Sequence, residues 1–344
     1  DSMESEVIET PSEVKKVDRF GFYEEDTGRK PAFDVKLENQ RLHKWLFMLK
    51  NWEKFCKESP DVLKRRVRKG IPDAVRGRVW SIFLSADVCS DIYHCGYENL
   101  LSSHPTLEEN EFTRKGGVID RDINRTYPNH EDYEESGMGQ DTLKRVLFAF
   151  ADHDKEVKYT QGMNYIVGVL LNYMTEEESY WALCQLMENS PFLMSKWFNQ
   201  ELTMVHTSHY QMSKLLAKYI PELDSYLTEL SITPAMYCTE WFMCVYTRSF
   251  PYDVVVRVWD IFLSEGWVIV YQVALALLEL FKKDILGKDF EDAYAVISGI
   301  NRSPDLPSAD VIIDTALRFN VTAEELEGYR REFARMSMKK ISFS

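Results

Sequence analysis

The sequence predicts an all-α fold. Apolar residues recur at intervals of three and four through most of the chain, which places them along one face of a helix. Glycine and proline are few, 15 and 12 among 344 residues, and this favours long helices over a β-sandwich with many turns. No segment alternates apolar and polar residues as a strand does, and no repeat of fixed period is present.

Composition and charge exclude several classes of protein. An apolar fraction of 45% supports a sizeable core, so the chain is not wholly disordered. The net charge of −14 disfavours nucleic acid as a partner, and we interpret the short basic cluster at 64–69 as a solvated helix face. The apolar stretch at 267–281 is too short and too polar to span a bilayer. The acidic start lacks a signal-peptide pattern, so we expect a cytoplasmic protein without a transmembrane segment.

The cysteines and histidines do not predict a metal site. Six cysteines are scattered without a Cys-x-x-Cys pair, which indicates buried free thiols in a reducing compartment. His206 and His209 have the spacing of one helical face, but no cysteine or carboxylate nearby completes a set of ligands.

Caps and breaks predict the element boundaries. Residues 1–17 are expected to form a mobile tail, and 18–34 an extended segment attached by the rings of Phe20, Phe22 and Tyr23. Ser59, Asp141, Ser308 and Thr322 are predicted N-caps, and Pro60 opens a helix. The predicted helices lie at 37–55, from 60, from 73, 106–112, 118–125, 141–150, 161–174, 176–188, 201–219, 221–230, 235–249, 252–263, 268–284, 290–297, 309–319 and 323–336.

No self-contained active site is evident. The chain lacks the Gly-x-x-x-x-Gly-Lys-Ser/Thr loop of P-loop NTPases, the Gly-x-Gly-x-x-Gly loop after a strand, Gly-x-Ser-x-Gly and His-Glu-x-x-His.

One polar segment that stands out lies at 119–128. Ile119, Asp122 and Arg125 are spaced to share one helical face, and an acid one turn before an arginine can hold the guanidinium by charge-assisted hydrogen bonds. Arg125 would then project near a helix end. An ordinary surface ion pair explains the same spacing.

The second segment is Tyr-Thr-Gln-Gly-Met-Asn at 159–164. Gln161 is predicted where a polar loop meets a buried helix, and Gly162 would let another backbone approach closely. The glutamine amide could point outward and orient a water molecule. Alternatively, Gln161 caps the helix.

In this order, the motifs resemble the TBC-domain family of Rab GTPase-activating proteins. The family's Ile-x-x-Asp-x-x-Arg and Tyr-x-Gln signatures are matched by Ile119, Asp122, Arg125, Tyr159 and Gln161. Its opening motif, Gly-Ile-Pro-x-x-x-Arg-x-x-x-Trp, is matched by Gly70, Ile71, Pro72, Arg76 and Trp80. Arg-Val-Trp-Asp at 257–260, followed by Glu265 and Gly266, resembles a later block. The resemblance spans 67–283. It departs slightly at Phe83 and Ser85, where leucine and glycine are commoner in the family, and we attribute these departures to packing.

The resemblance implies an activity exerted in trans. Arg125 would neutralise charge on a phosphoryl group of GTP held by a Rab, an effect worth ~10³–10⁵ in rate in well-studied GTPases. Gln161 would orient the attacking water in place of the GTPase's own glutamine. Asp122 would orient Arg125, and Tyr159 would help to fix the loop and meet the Rab surface. Arg76 would be a buried or semi-buried hydrogen-bonding anchor. GTP and Mg²⁺ belong to the Rab partner in its GTP state, and no cofactor of the chain's own is expected.

The same resemblance implies a single large TBC-type multi-helix domain at 67–285. A tail at 1–17, an N-terminal extension with helices at 18–66 and C-terminal helices at 286–344 flank it. The implied role is in vesicle trafficking and intracellular protein transport, with membrane contact only through the lipidated Rab. Two other readings stay open: a helical adaptor that binds a GTPase without accelerating it, and a self-contained hydrolase, which the missing motifs disfavour.

Overall fold

A computed structural model describes residues 16–23, 34–86, 89, 96–103, 117–134, 137–154 and 156–341 of the chain. These residues form nineteen α-helices and three short 3₁₀ turns, and within them there is no strand, so the all-α prediction is confirmed. Two isolated β-bridges join Val17 to Tyr23 and Phe22 to His130. Most of the predicted tail and the predicted helix at 106–112 lie outside the described residues.

Five of these helices lie in the N-terminal part of the described residues. These are α1 (Val35–Lys50), α2 (Trp52–Glu58), α3 (Pro60–Arg68), α4 (Asp73–Leu84) and α5 (Gly96–Ser103). The predicted helix at 37–55 is divided at Asn51, whose backbone leaves the helical region and whose side chain donates to the Phe47 carbonyl at 2.9 Å. Ser59 occupies the N-cap position of α3 with Pro60 next to it, but its hydroxyl makes no capping hydrogen bond.

Six helices form the middle of the chain. They are α6 (Val118–Ile123), α7 (Met138–His153), α8 (Met163–Leu171), α9 (Glu176–Glu188), α10 (Ser195–Phe198) and α11 (Thr203–Tyr219). The prediction that Asp141 is an N-cap is wrong, because α7 begins at Met138 after Gly137 and Asp141 lies in its first turn. The predicted start at Gln161 is also wrong, since the non-helical Gly162 precedes α8.

Eight helices complete the fold. They are α12 (Pro221–Glu229), α13 (Cys238–Met243), α14 (Tyr252–Glu265), α15 (Val268–Leu280), α16 (Lys282–Ile285), α17 (Phe290–Gly299), α18 (Ala309–Ala316) and α19 (Ala323–Ile341). Ser308 and Thr322 are confirmed as N-caps: the Ser308 hydroxyl accepts from the backbone of Val311 at 3.5 Å, and that of Thr322 accepts from Glu325 at 3.1 Å. The predicted helix at 235–249 is shorter, because the chain turns after Met243.

The core is built around α8, α14 and α15, whose side chains are nearly all buried. Helix α14 packs against α3, α4, α15 and α18, and α7 packs against α8 and α9. The short α6 contacts both α7 and α8. This last contact brings the two polar segments of the sequence, which flank α6 and α8, to the same side of the molecule.

Peripheral segments are tied to this core. Phe20 and Phe22 both contact the ring of Tyr252, with centroids 5.1 and 5.0 Å apart, so the predicted attachment by rings is confirmed for residues 18–23. The basic cluster is not a simple solvated face: Arg68 donates to both carboxylate oxygens of Glu265 at 2.7 and 2.6 Å. In the part of the chain that the structure describes, no helix combines the length and hydropathy needed to cross a membrane.

The thiols follow the prediction only in part. Cys184, Cys238 and Cys244 are buried, whereas Cys56 is exposed on α2.

Candidate functional site

One buried carboxylate connects the two polar segments. Arg125 donates from Nη2 to Asp122 Oδ1 at 2.5 Å, and the Tyr159 hydroxyl donates to Asp122 Oδ2, also at 2.5 Å. Asp122 is only 3% exposed. Each oxygen of this carboxylate therefore fixes a residue from a different motif, and the pair Asp122–Arg125 is not the ordinary surface ion pair that the spacing alone allows.

Arg125 lies just beyond the end of α6 and is fixed at its base. Its backbone amide donates to the Asp122 carbonyl at 3.3 Å, and its carbonyl accepts from the Tyr165 hydroxyl at 3.2 Å. The Arg125 side chain is nevertheless 47% exposed. The arrangement holds the backbone while leaving much of the guanidinium open to an approaching molecule.

Gln161 occupies the turn before α8 and is exposed. Its amide has no hydrogen-bond partner among the described residues, so the capping explanation finds no support. The polar group that satisfies the helix start is instead Asn164, whose Oδ1 accepts from the Gly162 amide at 3.0 Å.

Gly162 is required by its conformation and by a side chain, not by the approach of another backbone as the sequence suggested. Its φ is +110°, in the region that favours glycine. A Cβ there would lie 3.1 Å from the Cys244 sulfur. The turn that presents Gln161 therefore packs closely against the segment after α13.

Further hydrogen bonds near the site were not predicted from the sequence. The fully buried Asn164 donates to Thr126 Oγ1 at 2.7 Å, and that hydroxyl donates to the Asp122 carbonyl at 2.7 Å. This links the backbone of the arginine segment to α8. The signal that could have revealed it is a polar asparagine inside the otherwise apolar run of Met163–Leu171.

Tyr159 is only 4% exposed, so it does not lie on the surface as the resemblance implied, and it remains a hydrogen-bond donor at neutral pH. Burial raises its pKa well above the ordinary value, and the hydrogen bond to Asp122 raises the pKa further. A protonated hydroxyl can donate to the carboxylate, so Asp122 keeps two donors at its oxygens.

Arg76 belongs to a different cluster. Asp260 accepts from Arg76 Nε at 3.0 Å, from the Ile71 amide at 2.8 Å and from Trp80 Nε1 at 2.9 Å. Arg76 is 3% exposed and Asp260 is fully buried. Burial lowers the pKa of Arg76, but the charge of Asp260 and the hydrogen bonds of Asp260 and Tyr173 raise it above its ordinary value overall. The opening motif and the later Arg-Val-Trp-Asp block thus meet at one carboxylate.

The departure at Ser85 concerns backbone conformation rather than packing. Ser85 ends α4 with φ +53°, a left-handed conformation in which glycine is the favoured residue. Phe83 packs its ring on Trp52 with centroids 5.8 Å apart.

Histidines lie beside other polar side chains at two further places. His209 makes a 2.8 Å hydrogen bond to Thr239, and burial lowers its pKa to about 4. Elsewhere, ligand atoms of His153, Cys184 and Glu188 lie within 4.8 Å of one another. Burial raises the pKa of the Cys184 thiol well above its ordinary value, so without a metal ion this group is a thiol at neutral pH, beside a His153–Glu188 contact.

Comparison with known proteins agrees with the motifs. Residues 73–286 match the family model of the Rab-GTPase-TBC domain. The Rab GTPase-activating protein tbc-11 of Caenorhabditis elegans is 30% identical over 87% of this chain and 32% of that protein. TBC1 domain family member 10A of Mus musculus is 31% identical over 91% of this chain and 62% of that protein. The chain therefore spans between about a third and three fifths of the length of these relatives.

A solved structure shows the same fold. The crystal structure of the Chlamydomonas flagellar RabGAP TBC domain aligns with a TM-score of 0.66, over 87% of this chain and 98% of that one, at 24% identity. The matched family model covers more than half of the sequence. The chain belongs to the Rab-GTPase-TBC domain family.

Proposed function

We propose that this chain is a GTPase-activating protein that supplies Arg125 and Gln161 in trans to GTP bound by a Rab-type GTPase. The observation that carries the proposal is the Asp122 carboxylate, which holds Arg125 with one oxygen and Tyr159 with the other. Arg125 and Gln161 are both exposed. The names of the relatives, which include a Rab GTPase-activating protein, support the same assignment.

Arg125 would stabilise the charge that develops on the γ-phosphoryl oxygens as the bond to the leaving group lengthens. A guanidinium suits this because its planar fork donates to two oxygens at once. An arginine already held by a buried carboxylate loses little conformational freedom when it enters the site. Asp122 and Tyr159 are positioning residues in this mechanism, since they act through Arg125 and the turn at Gln161.

Gln161 would orient the water that attacks the γ-phosphorus. A glutamine amide offers both an acceptor and a donor, so it can bind the water and a neighbouring oxygen together. The water loses its proton during the reaction, and the phosphate takes it up. GTP and Mg²⁺ are carried by the Rab, and the chain adds only positioning and electrostatic stabilisation. Recruitment to membranes would follow from the lipidated Rab.

The proposal is tested by single-turnover GTP hydrolysis across a panel of Rab proteins, with and without the chain. We expect a large acceleration with at least one Rab and no hydrolysis when the chain is mixed with GTP alone. Hydrolysis by the chain alone would establish the self-contained hydrolase. Binding to a Rab without acceleration would establish the adaptor.

Retention with a transition-state mimic separates activation from simple binding. Catalysis requires tighter binding of the transition state than of the ground state. We expect the chain to retain a Rab carrying GDP and aluminium fluoride more strongly than the same Rab carrying GDP. Equal retention of the two forms would contradict the activating role.

A further inference from the structure

Another exposed arginine, Arg248, lies near Arg125 and Gln161, the two side chains proposed to act on GTP. Its segment is held by several hydrogen bonds. The segment follows α13, and its backbone is held by Trp259, which donates to the Val245 carbonyl at 3.1 Å, and by Asn301, which donates to the Ser249 carbonyl at 2.9 Å. The neighbouring Tyr246 is buried and donates to the Val270 carbonyl at 2.8 Å. Arg248 is therefore presented from a fixed backbone.

Arg248 lies beside both the segment that carries Arg125 and the segment that carries Gln161. Its guanidinium carbon lies 5.9 Å from the centroid of the Tyr165 ring, and the hydroxyl of the same ring donates to the Arg125 carbonyl at 3.2 Å. Tyr165 follows Gln161 by one helical turn. The turn at Gly162 also packs against Cys244, at the start of the segment that carries Arg248. The site of Arg125 and Gln161 thus has a third polar side chain at its edge.

The ion-pair partner of Arg248 is itself partly exposed. Arg248 Nη1 lies 2.9 Å from Glu240 Oε2, and the two side chains are 38% and 36% exposed. An exposed ion pair of this kind contributes little to the stability of a fold. The pair is therefore free to be exchanged when another molecule covers this surface.

We propose that Arg248 binds a carboxylate on the protein surface of the GTPase beside its nucleotide site, and that it is a specificity-determining residue. This rests on the proposed function. If Arg125 enters the nucleotide site, Arg248, which lies beside the Tyr165 ring, would meet the rim of that site and not the phosphates. A guanidinium binds a carboxylate through two parallel hydrogen bonds. Glu240 competes for the same donors, so a partner gains from Arg248 only if its own carboxylate can displace Glu240.

The test measures a Rab that the wild-type chain binds, with kcat, KM and Kd for the aluminium fluoride form. Because charges at the rim of an interface act mainly on association, we expect Arg248→Glu to raise KM and Kd about tenfold or more and to leave kcat within about twofold. Arg248→Gln should show the same direction with a smaller change. Glu240→Gln should lower KM, a result that a merely structural ion pair would not give.

A matched control is available on α19. Arg330 pairs with Glu327 at 2.6 Å, with side chains 49% and 42% exposed, so Arg330→Glu removes a similar pair at a different place. We expect its KM to equal that of the wild type. Thermal unfolding of each variant checks the fold. Replacing the Rab acid that binds Arg248 by lysine should restore binding of that Rab to the Arg248→Glu chain.

Two results would overturn the inference. One is an Arg248→Glu chain that folds and has wild-type KM and Kd. The other is a fall in kcat at unchanged KM, which would make Arg248 a positioning residue for Arg125. Both leave the proposed function standing. A chain that binds the Rab without accelerating hydrolysis would instead end the proposed function, while the Kd values would still decide the role of Arg248.

Discussion

Two arginine–aspartate pairs in this molecule have the same chemistry and opposite environments. In Arg76–Asp260 both side chains are buried, and the carboxylate also accepts from Ile71 and Trp80. In Asp122–Arg125 the carboxylate is buried but the arginine is 47% exposed. The first pair joins two distant parts of the chain, and the second presents a cation at the surface.

The difference indicates how burial distinguishes an ion pair that stabilises the fold from one that presents a cation to another molecule. A fully buried pair must satisfy all its donors within the protein, because leaving a charge unpaired there is costly. A half-exposed arginine on a buried acid keeps its orientation while part of its donor set remains for another molecule. The two pairs should therefore respond to substitution in opposite ways, one through stability and the other through rate.

The largest effect is expected at Arg125. Arg125→Ala should lower stimulated GTP hydrolysis by roughly 10³-fold or more, because the charge on the transferred phosphoryl group loses its counter-charge. The chain should stay folded but lose some stability, because the buried Asp122 loses its charged donor and keeps the Tyr159 hydroxyl. Single-turnover kinetics with a responsive Rab measure the rate, with Arg125→Lys as the matched variant that keeps charge but loses the fork. A folded Arg125→Ala chain with near wild-type stimulation would contradict the proposed role of Arg125 at the phosphoryl group.

At the other pair the expected loss is in stability. Asp260→Ala removes the buried acceptor of Arg76, Ile71 and Trp80 and leaves Arg76 paired with the partly exposed Asp73, so we expect a cost of about 3 kcal/mol in the free energy of unfolding. Denaturant unfolding followed by circular dichroism measures it. The comparison fails if Asp260→Ala is as stable as Arg125→Ala.

The fold class and the contact between Asp122 and Arg125 could be predicted because they follow from local patterns. Helical periodicity identified the all-α class, and the N-caps Ser308 and Thr322 act through their own hydroxyls over three residues. Spacing placed Asp122 and Arg125 within one turn of each other, where the structure has them.

The connections between distant segments could not be predicted in this way. Nothing local marks Asp260 as the acceptor for Ile71, Arg76 and Trp80, because only folding brings residues nearly 190 positions apart into contact. The same holds for Asn164 and Thr126, which tie α8 to the arginine segment. The predicted N-cap at Asp141 failed for a related reason: a capping residue type inside a first turn resembles one before it.

A smaller effect is expected at Tyr159, which joins the two motifs. Tyr159→Phe leaves the buried Asp122 with one donor fewer, so we expect a loss of about 1–2 kcal/mol in stability. Looser positioning of Arg125 should lower the stimulated rate about tenfold, well short of the loss in Arg125→Ala. The rate is measured at saturating chain, and Tyr97→Phe, another tyrosine that donates to a carboxylate, serves as the control. A wild-type rate in Tyr159→Phe would show that Asp122 needs no help from this hydroxyl.

The central claim is that Gln161 replaces the GTPase's own water-positioning glutamine. The most direct test is single-turnover hydrolysis by a responsive Rab whose catalytic glutamine is changed to alanine, at saturating chain so that weakened binding cannot imitate weakened chemistry. The account predicts that this Rab is still strongly stimulated, whereas Gln161→Ala with a wild-type Rab loses on the order of a few kcal/mol of transition-state stabilisation. A Rab glutamine that proves essential, together with a dispensable Gln161, would contradict it.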